Sequence, residues 1–415
     1  MQQKSAQDNL KEIFSRSLEI ANPEHLVAKL LKIENEHLSW DSESLKLSDF
    51  ERVFVFGAGK AAKSMAIGLQ NLLKDKIHGG VVICPDPTPI EHCTIKFLPG
   101  NHPIPDINSL ESTEKLIELL STTTKNDLVF FLISGGASAM LCMPIAGVTL
   151  EALQLTNEQL LKSGLSIHEM NRKRKEISAV KDGKLLEFTK SNRIVNLLIS
   201  DVPGNDPNVI GSGPTQANNK LSSHQKSITN IWINTPELFA ESIAQTTQSI
   251  LKDTPIYIHP EPYSGSTSEV CSLISSTLTD YITNDPNYLS TLFIFYGESE
   301  VKVTGNGKGG RNQHLALHFL IHDMPKFQQK ANLSMMSVGS DGIDGNTEAA
   351  GAIIYSDMLN RITEHQLNPA EYFAKFNSYH FFKELGASII TGPTENNLMD
   401  FQLILVRNRS SDYGL

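Results

Sequence analysis

Long apolar runs are missing from this chain: no stretch approaches the roughly 20 consecutive apolar residues that a membrane-spanning helix needs. The N-terminal segment "MQQKSAQDNLKEIFSRSLEI" also lacks the continuous apolar core of a signal peptide. These absences point to a cytoplasmic protein with no membrane partner. Cationic charge is short as well. With 36 Lys and Arg against 46 Asp and Glu, the formal charge is −10, which argues against nucleic acid, since that partner needs a basic face to release counterions. An anionic small substrate stays open, because a few lysines and arginines focused in a cleft outweigh net charge locally. Cysteine is scarce. Cys84, Cys93, Cys142 and Cys271 show no C-x-x-C spacing, so they fit reduced, mostly buried thiols better than a zinc site or a disulfide framework.

What is present is the composition of a soluble globular protein, 40% hydrophobic and 20% charged, over 415 residues, more than one core usually organises. Two domains are expected. The N-terminal segment carries Leu10, Ile13, Phe14 and Leu18 at helical spacing. Strand-like runs such as "RVFVFG", "GVVICP", "DLVFFLISGG", "RIVNLLISD", "TLFIFYGE" and "FQLILV" alternate with helix-period segments. That alternation predicts an α/β protein whose sheet is largely parallel and buried on both faces. Gly, Ser and Asp collect at the C-terminal ends of these runs, where open α/β sheets bind ligands. Composition changes between about Pro214 and Leu292, and the domain boundary is expected there or shortly after.

Six stretches could carry chemistry. In "FGAGKAA", Gly57, Gly59 and Ala62 satisfy G-x-G-x-x-A between a strand and a helix, so an anion can approach backbone N–H groups at a helix start. Lys60 inside the turn suits a moving phosphoryl group and is no part of a nicotinamide fingerprint; a solvated surface lysine is the competing reading. In "LISGGASAM", Ser134, Gly135, Gly136 and Ser138 open a predicted helix and would cradle an anion, unless the small residues serve only close packing. "HEMNRKRKEISAVKDGK" holds the strongest basic cluster. Helical spacing puts Asn171, Arg174 and Lys175 on one face, and likewise Arg174, Ser178 and Lys181, while Arg172 and Lys173 suit a solvated face. Asp201 follows a strand in "LLISDVPGNDP", with Asp206 in the next loop, and Asp341 and Asp344 do the same in "SVGSDGIDGNTEAAG". Carboxylates there could hold magnesium, or could form Asx-turns and helix caps. In "GNGKGGRNQHLAL", Arg311 begins a helix against the dipole preference, with Asn312 and Gln313 beside it, so an anion should lie nearby.

Together with "NHPIPD" and "GPTENNLMD", and in this order across nearly the whole chain, these motifs resemble the class II glycerate kinases, the glycerate 2-kinase family with a C-terminal MOFRL domain. The resemblance implies a Rossmann-like N-terminal domain with a mostly parallel sheet, assigned to 1–240 with the stretch to about 285 left unassigned, and a smaller α/β MOFRL-type domain over 286–415. It implies ATP-dependent phosphorylation of D-glycerate at the 2-hydroxyl, with Mg²⁺. Lys60 and Arg311 fall on the catalytic candidates. Gly57, Gly59, Ser134, Gly135, Gly136, Ser138, Asn171, Arg174 and Asn312 are assigned to substrate and phosphate, and Asp201, Asp341 and Asp344 to the metal. Homodimerisation is left open. Ala137 replaces the third glycine of the usual S-G-G-G-S, "ESE" at 298–300 stands for a shorter G-E-T, and "GPTENN" with Glu395 replaces G-P-T-G-T-N. The alternative is an NAD(P)H-dependent hydroxypyruvate reductase that reads "GAGKAA" as its fingerprint and Asp86 as its ribose acceptor.

Overall fold

The computed structural model describes residues 4–162, 167–216, 226–286, 288–303 and 305–409. The chain opens with helices α1 (Ala6–Ile20) and α2 (Pro23–Leu30) and a small antiparallel sheet of β1 (Lys32–Glu34), β2 (His37–Trp40) and β3 (Glu43–Lys46). Strands and helices then alternate: β4 (Val53–Ala58), α3 (Ala62–Leu73), β5 (Ile77–Cys84), β6 (Ile95–Pro99), α4 (Ile107–Leu120), β7 (Leu128–Ile133), the single turn α5 (Ala137–Met140), α6 (Leu150–Lys162), α7 (Ile167–Glu176), β8 (Arg193–Ile199) and β9 (Ser227–Asn234). The last six strands form one sheet in the order β6-β5-β4-β7-β8-β9, and every pairing in it is parallel. Counted from β4, that is 3-2-1-4-5-6, the order of a dinucleotide-binding sheet. All residues of β4 and β7 are buried. Phe54, Phe56, Phe131 and Ile133 build part of the core against neighbours that include Leu116, Met140 and Leu185, which is why these strands read as unbroken apolar runs.

The rest of the chain forms α8 (Pro236–Ile250), β10 (Ile256–Ile258), β11 (Tyr263–Ser266), α9 (Thr267–Asn284), β12 (Ser290–Glu300), α10 (Arg311–His322), β13 (Ala331–Gly339), β14 (Gly351–Tyr355), α11 (Met358–Glu364), α12 (Pro369–Ala374), α13 (Ser378–Glu384), β15 (Ser388–Ile389) and β16 (Asp400–Asn408). Its sheet runs β10-β12-β16-β13-β14-β15, with β11 also on β12. Only β10 and β11 lie parallel to β12, and every other pairing is antiparallel. The largely parallel sheet expected from the apolar runs therefore describes the first sheet and not the second. A strand buried on both faces is uniformly apolar whichever way its neighbours point.

The chain divides into two compact units, Asn22–Thr235 and Met1–Ala21 together with Pro236–Leu415. This differs from a first domain spanning 1–240. Helix α1 buries Leu10, Ile13 and Phe14 as its spacing predicts, but it does so in the second unit, where Phe14 meets Phe239 of α8 edge-on at 6.3 Å between ring centroids. An amphipathic face shows that a helix packs, not which core it packs on. None of the four cysteines forms a disulfide, and Cys84, Cys142 and Cys271 are buried.

Candidate active site

The order of the parallel sheet reverses between β4 and β7, which pair through to Ala58 and Ile133. A crevice at the C-terminal ends of two such strands is where these sheets take ligands. Both glycine loops lie there and are stitched together. Ser134 N–H donates to Ala58 O (3.3 Å), Lys60 N–H to Gly135 O (2.9 Å), and Ala61 N–H to Ser134 Oγ (3.0 Å). Gly59 has φ of +129°, and a Cβ on it would collide with the Ser134 side chain, so no other residue fits that turn. Gly57 lies within β4, tight against Leu132.

These bonds revise the expected anion cradle. Two amides at the start of α3 and the Ser134 hydroxyl are consumed in joining the loops, so Ser134 and the first turn of α3 act as a clamp. The helix expected after "SGGAS" is only the one turn of α5, too short for a useful dipole. The amides of Gly135 and Gly136 are spent in none of these bonds. Gly136 takes the left-handed conformation, and a Cβ there would stand 3.5 Å from Lys60 Cγ and 3.3 Å from His102 Cδ2. Lys60 thus lies against the double-glycine turn, with His102 of "NHPIPD" beside it. Spacing along the chain does not mark His102 for this place, because only the fold brings it to the loop.

Behind the turn, Ser212 donates to Asn171 Oδ1 (2.9 Å), and Asn171 Nδ2 donates to Val209 O (3.2 Å). Since the one proton of Ser212 goes to Asn171, the 2.9 Å contact between Ser138 and Ser212 has Ser138 as donor. Asn171, expected to bind substrate, is instead 4% exposed and ties α7 to the loop after β8. The basic stripe is also not one helix face, since α7 stops at Glu176. Arg172 and Lys173 are solvent-facing, and Lys175 pairs with Asp182 at 3.1 Å. Arg174, Ser178 and Lys181 still converge, across the turn that follows, on a pocket that also includes Ser138 and Asn157. Asp201 lies two residues past β8 and is half-buried, and Asp206 forms an Asx-turn by accepting from Asn208 N–H at 2.9 Å.

In the second unit, Arg311 opens α10, and the anion that its position requires is supplied from within. Its guanidinium meets Asp400 Oδ2 at 2.5 Å and Glu298 Oε1 at 2.7 Å. Burial opposes the guanidinium charge, but Asp400 and Glu298 outweigh it and raise its pKa. Burial pushes the Asp400 carboxyl up, against the pull of Arg311. Asn312 sits in a buried network, accepting from Ser337 Oγ at 2.9 Å.

Of the carboxylates expected to hold metal, Asp344 does not fit. Its Oδ1 accepts from Asn312 N–H (3.0 Å), and its Oδ2 accepts from Gln313 N–H and Gln313 Nε2, both at 2.9 Å. It caps the N-terminus of α10 and is 2% exposed, with both oxygens spent on these donors. Asp341 accepts from Ile343 N–H at 3.1 Å in an Asx-turn. Among the described residues, the one group of three Cys, His, Asp or Glu ligand atoms within 4.8 Å is Cys271, His318 and Asp323. There Cys271 Sγ donates to Leu315 O (3.7 Å) and Asp323 pairs with Lys326 (2.7 Å), a packed polar contact.

A parallel sheet in this order, with a lysine and two adjacent amides at its switch point, defines a Rossmann-like α/β enzyme carrying a second, mixed-sheet unit. Residues 9–244 match the family described as "Domain of unknown function (DUF4147)", and residues 291–400 match the MOFRL family. The chain is 31% identical to a D-glycerate 2-kinase of Thermotoga maritima, with 95% of this chain and 97% of that protein covered. It is also 31% identical to a putative hydroxypyruvate reductase of Agrobacterium vitis, with 86% and 99% covered. The solved structure of a glycerate kinase from Thermotoga maritima superposes with a TM-score of 0.79 at 29% identity, over 96% of this chain and 99% of that one. The chain belongs to the glycerate kinase family and carries its C-terminal MOFRL domain.

Proposed function

We propose that this protein is a glycerate 2-kinase, which transfers the γ-phosphoryl group of ATP to the 2-hydroxyl of D-glycerate and releases ADP and 2-phosphoglycerate. The observation that carries this reading is the placement of Lys60 beside the Gly135–Gly136 turn at the switch point, where the two glycine amides donate to no backbone carbonyl among the described residues. The glycerate oxygen bonds to the γ-phosphorus, the bond from that phosphorus to the β–γ bridging oxygen breaks, and the hydroxyl proton passes to water. Lys60 offsets charge on the transferring oxygens, and the glycine amides orient them, so positioning and electrostatics supply the rate. Arg311, in the second unit, holds its guanidinium on Asp400 and Glu298. Among the described residues no three carboxylates cluster as a metal cage.

Phosphorus NMR of the products from ATP and D-glycerate tests both activity and regiochemistry. Product phosphorylated at the 3-position, or none, sinks the reading. One observation favours the reductase alternative: Asp86 stands two residues past β5, where a ribose-binding acid belongs. Its oxygens, however, are taken by Lys63 Nζ at 2.6 Å and by Thr88. Oxidation of NADH by hydroxypyruvate, followed at 340 nm, should stay at background.

A further inference from the structure

Two cations line one pocket of the parallel-sheet unit, with no acid paired to either among the described residues. Lys181 is 5% exposed, and its Nζ donates to the carbonyls of Ser138 at 2.5 Å and Leu141 at 3.3 Å. An ammonium has three donors, so one is left over. Arg174 spends only its Nε, on Asn157 Oδ1 at 3.0 Å. Among the described residues neither cation forms an ion pair, and the terminal N–H groups of Arg174 have no protein acceptor. Burial holds the Lys181 pKa down to about 8, and the charge of Arg174 adds to that depression. Burial likewise lowers Arg174. A buried ammonium beside a half-buried guanidinium is a standing cost unless an anion completes the arrangement.

We propose that this pocket, where Ser138, Asn157, Arg174, Ser178 and Lys181 stand among apolar side chains such as Met143 and Leu153, is the seat of the carboxylate of the hydroxy-acid substrate. The proposal rests on the glycerate kinase reading and deepens it. Asn157 fixes Arg174 through Nε and leaves its terminal nitrogens, a planar fork that matches the two oxygens of a carboxylate. Lys181, anchored on the Ser138 carbonyl, adds a point charge at the wall of the same pocket. Ser138 lies in α5, directly after Gly135 and Gly136, so an acid held by its carboxylate stands beside the turn assigned to the phosphoryl group. In the sequence helical spacing already groups Lys181 with Arg174 and Ser178 and apart from Lys173, although the helix stops at Glu176 and the turn after it makes the convergence.

The test is isothermal titration of the full-length protein with D-glycerate, its uncharged amide and inorganic phosphate, alongside steady-state kinetics. Wild type should bind D-glycerate and bind the amide about 10-fold or more weakly, the scale of one charge-assisted contact. Arg174→Met should weaken D-glycerate binding and raise its KM by about 10- to 100-fold, with KM for ATP unmoved. Arg174→Lys, which keeps the charge and much of the volume, should fall in between and serves if the methionine variant misfolds. Wild-type affinity in both variants, or equal affinity for acid and amide, overturns the proposal. Phosphate displacing glycerate in an Arg174-dependent way would make the pocket a phosphate subsite and overturn it too. If ATP and glycerate give no product while glycerate binding still depends on Arg174, the pocket stands and the kinase reading falls. If turnover occurs with a KM that does not depend on Arg174, the kinase reading stands and the pocket falls.

Discussion

Lys60 and Glu395 show how far a single residue can be read. A lysine inside a glycine turn suggests phosphate chemistry from sequence, and the fold sets it against the second glycine turn, contributed by a strand more than 70 residues away. Replacing Lys60 with methionine should lower kcat by about 10² to 10³, the scale for one preorganised transition-state donor. Its half-exposed position predicts an unchanged thermal melt. Turnover near wild type in an ADP-release assay would remove Lys60 from the chemistry. Glu395 stands where the family's common motif has glycine, and it takes φ of +59°. A left-handed side-chain residue costs about 1–2 kcal/mol, offset by the roughly 0.5–1 kcal/mol entropy cost of glycine. Glu395→Gly should therefore stabilise the protein by up to about 1 kcal/mol in urea unfolding, and a loss of stability would mean that the side chain has contacts worth more than the strain. Arg311, as an arginine at a helix start, does require an anion. The fold meets that requirement internally, with Asp400.

At the scale of elements, α10 and α7 each separate a structural role from a chemical one. Asp344 gives both oxygens to N–H groups of Asn312 and Gln313. Asp344→Asn turns an amide NH₂ toward donors, so it should cost about 1–3 kcal/mol of stability, while the magnesium titration of the surviving activity stays as in wild type. A steeply raised metal requirement in a fully stable variant would restore Asp344 as a ligand. The turn after α7 predicts a pH effect. Lys181, at about 8, is cationic below that pH and neutral above it. Carboxylate binding that needs the cation should weaken as pH rises through about 8. The charged and titratable groups facing Lys181 are Arg174 and Cys142. Arg174 stays cationic there, and burial lifts the Cys142 thiol to about 11, so neither titrates in that window. KM for D-glycerate should climb between about pH 8 and 10, and Lys181→Arg should flatten that climb. A parallel climb in the arginine variant would assign the titration elsewhere.

For the whole molecule, chain order and spatial order part company at α1. The helix belongs with Pro236–Leu415 although more than 200 residues separate them, and its Phe14 lies between α1 and α8 as a fully enclosed ring. Phe14→Ala should cost about 3–5 kcal/mol, visible in urea denaturation and as faster amide exchange in α8. A cost below about 1 kcal/mol would show α1 to be peripheral. No helix among the described residues is long and apolar enough to cross a membrane, in keeping with the absence of long apolar runs.

By itself the sequence determined what depends on neighbours along the chain. The apolar runs, the glycine turns that follow them, the amphipathic face of α1 and the order of motifs that marks the family are all properties of local spacing and side-chain chemistry. Tertiary structure alone decided which way the strands of the second sheet run, that Asn171 and Asp344 are spent in internal hydrogen bonds, and that Arg311 pairs with a residue 89 positions away. It also decided that Arg174 and Lys181 meet at one pocket across the turn after α7 and not along one helix face. A hydrogen bond or ion pair saturates a group's capacity, and whether a polar residue keeps that capacity for a ligand depends on partners that only the folded chain brings within about 3 Å.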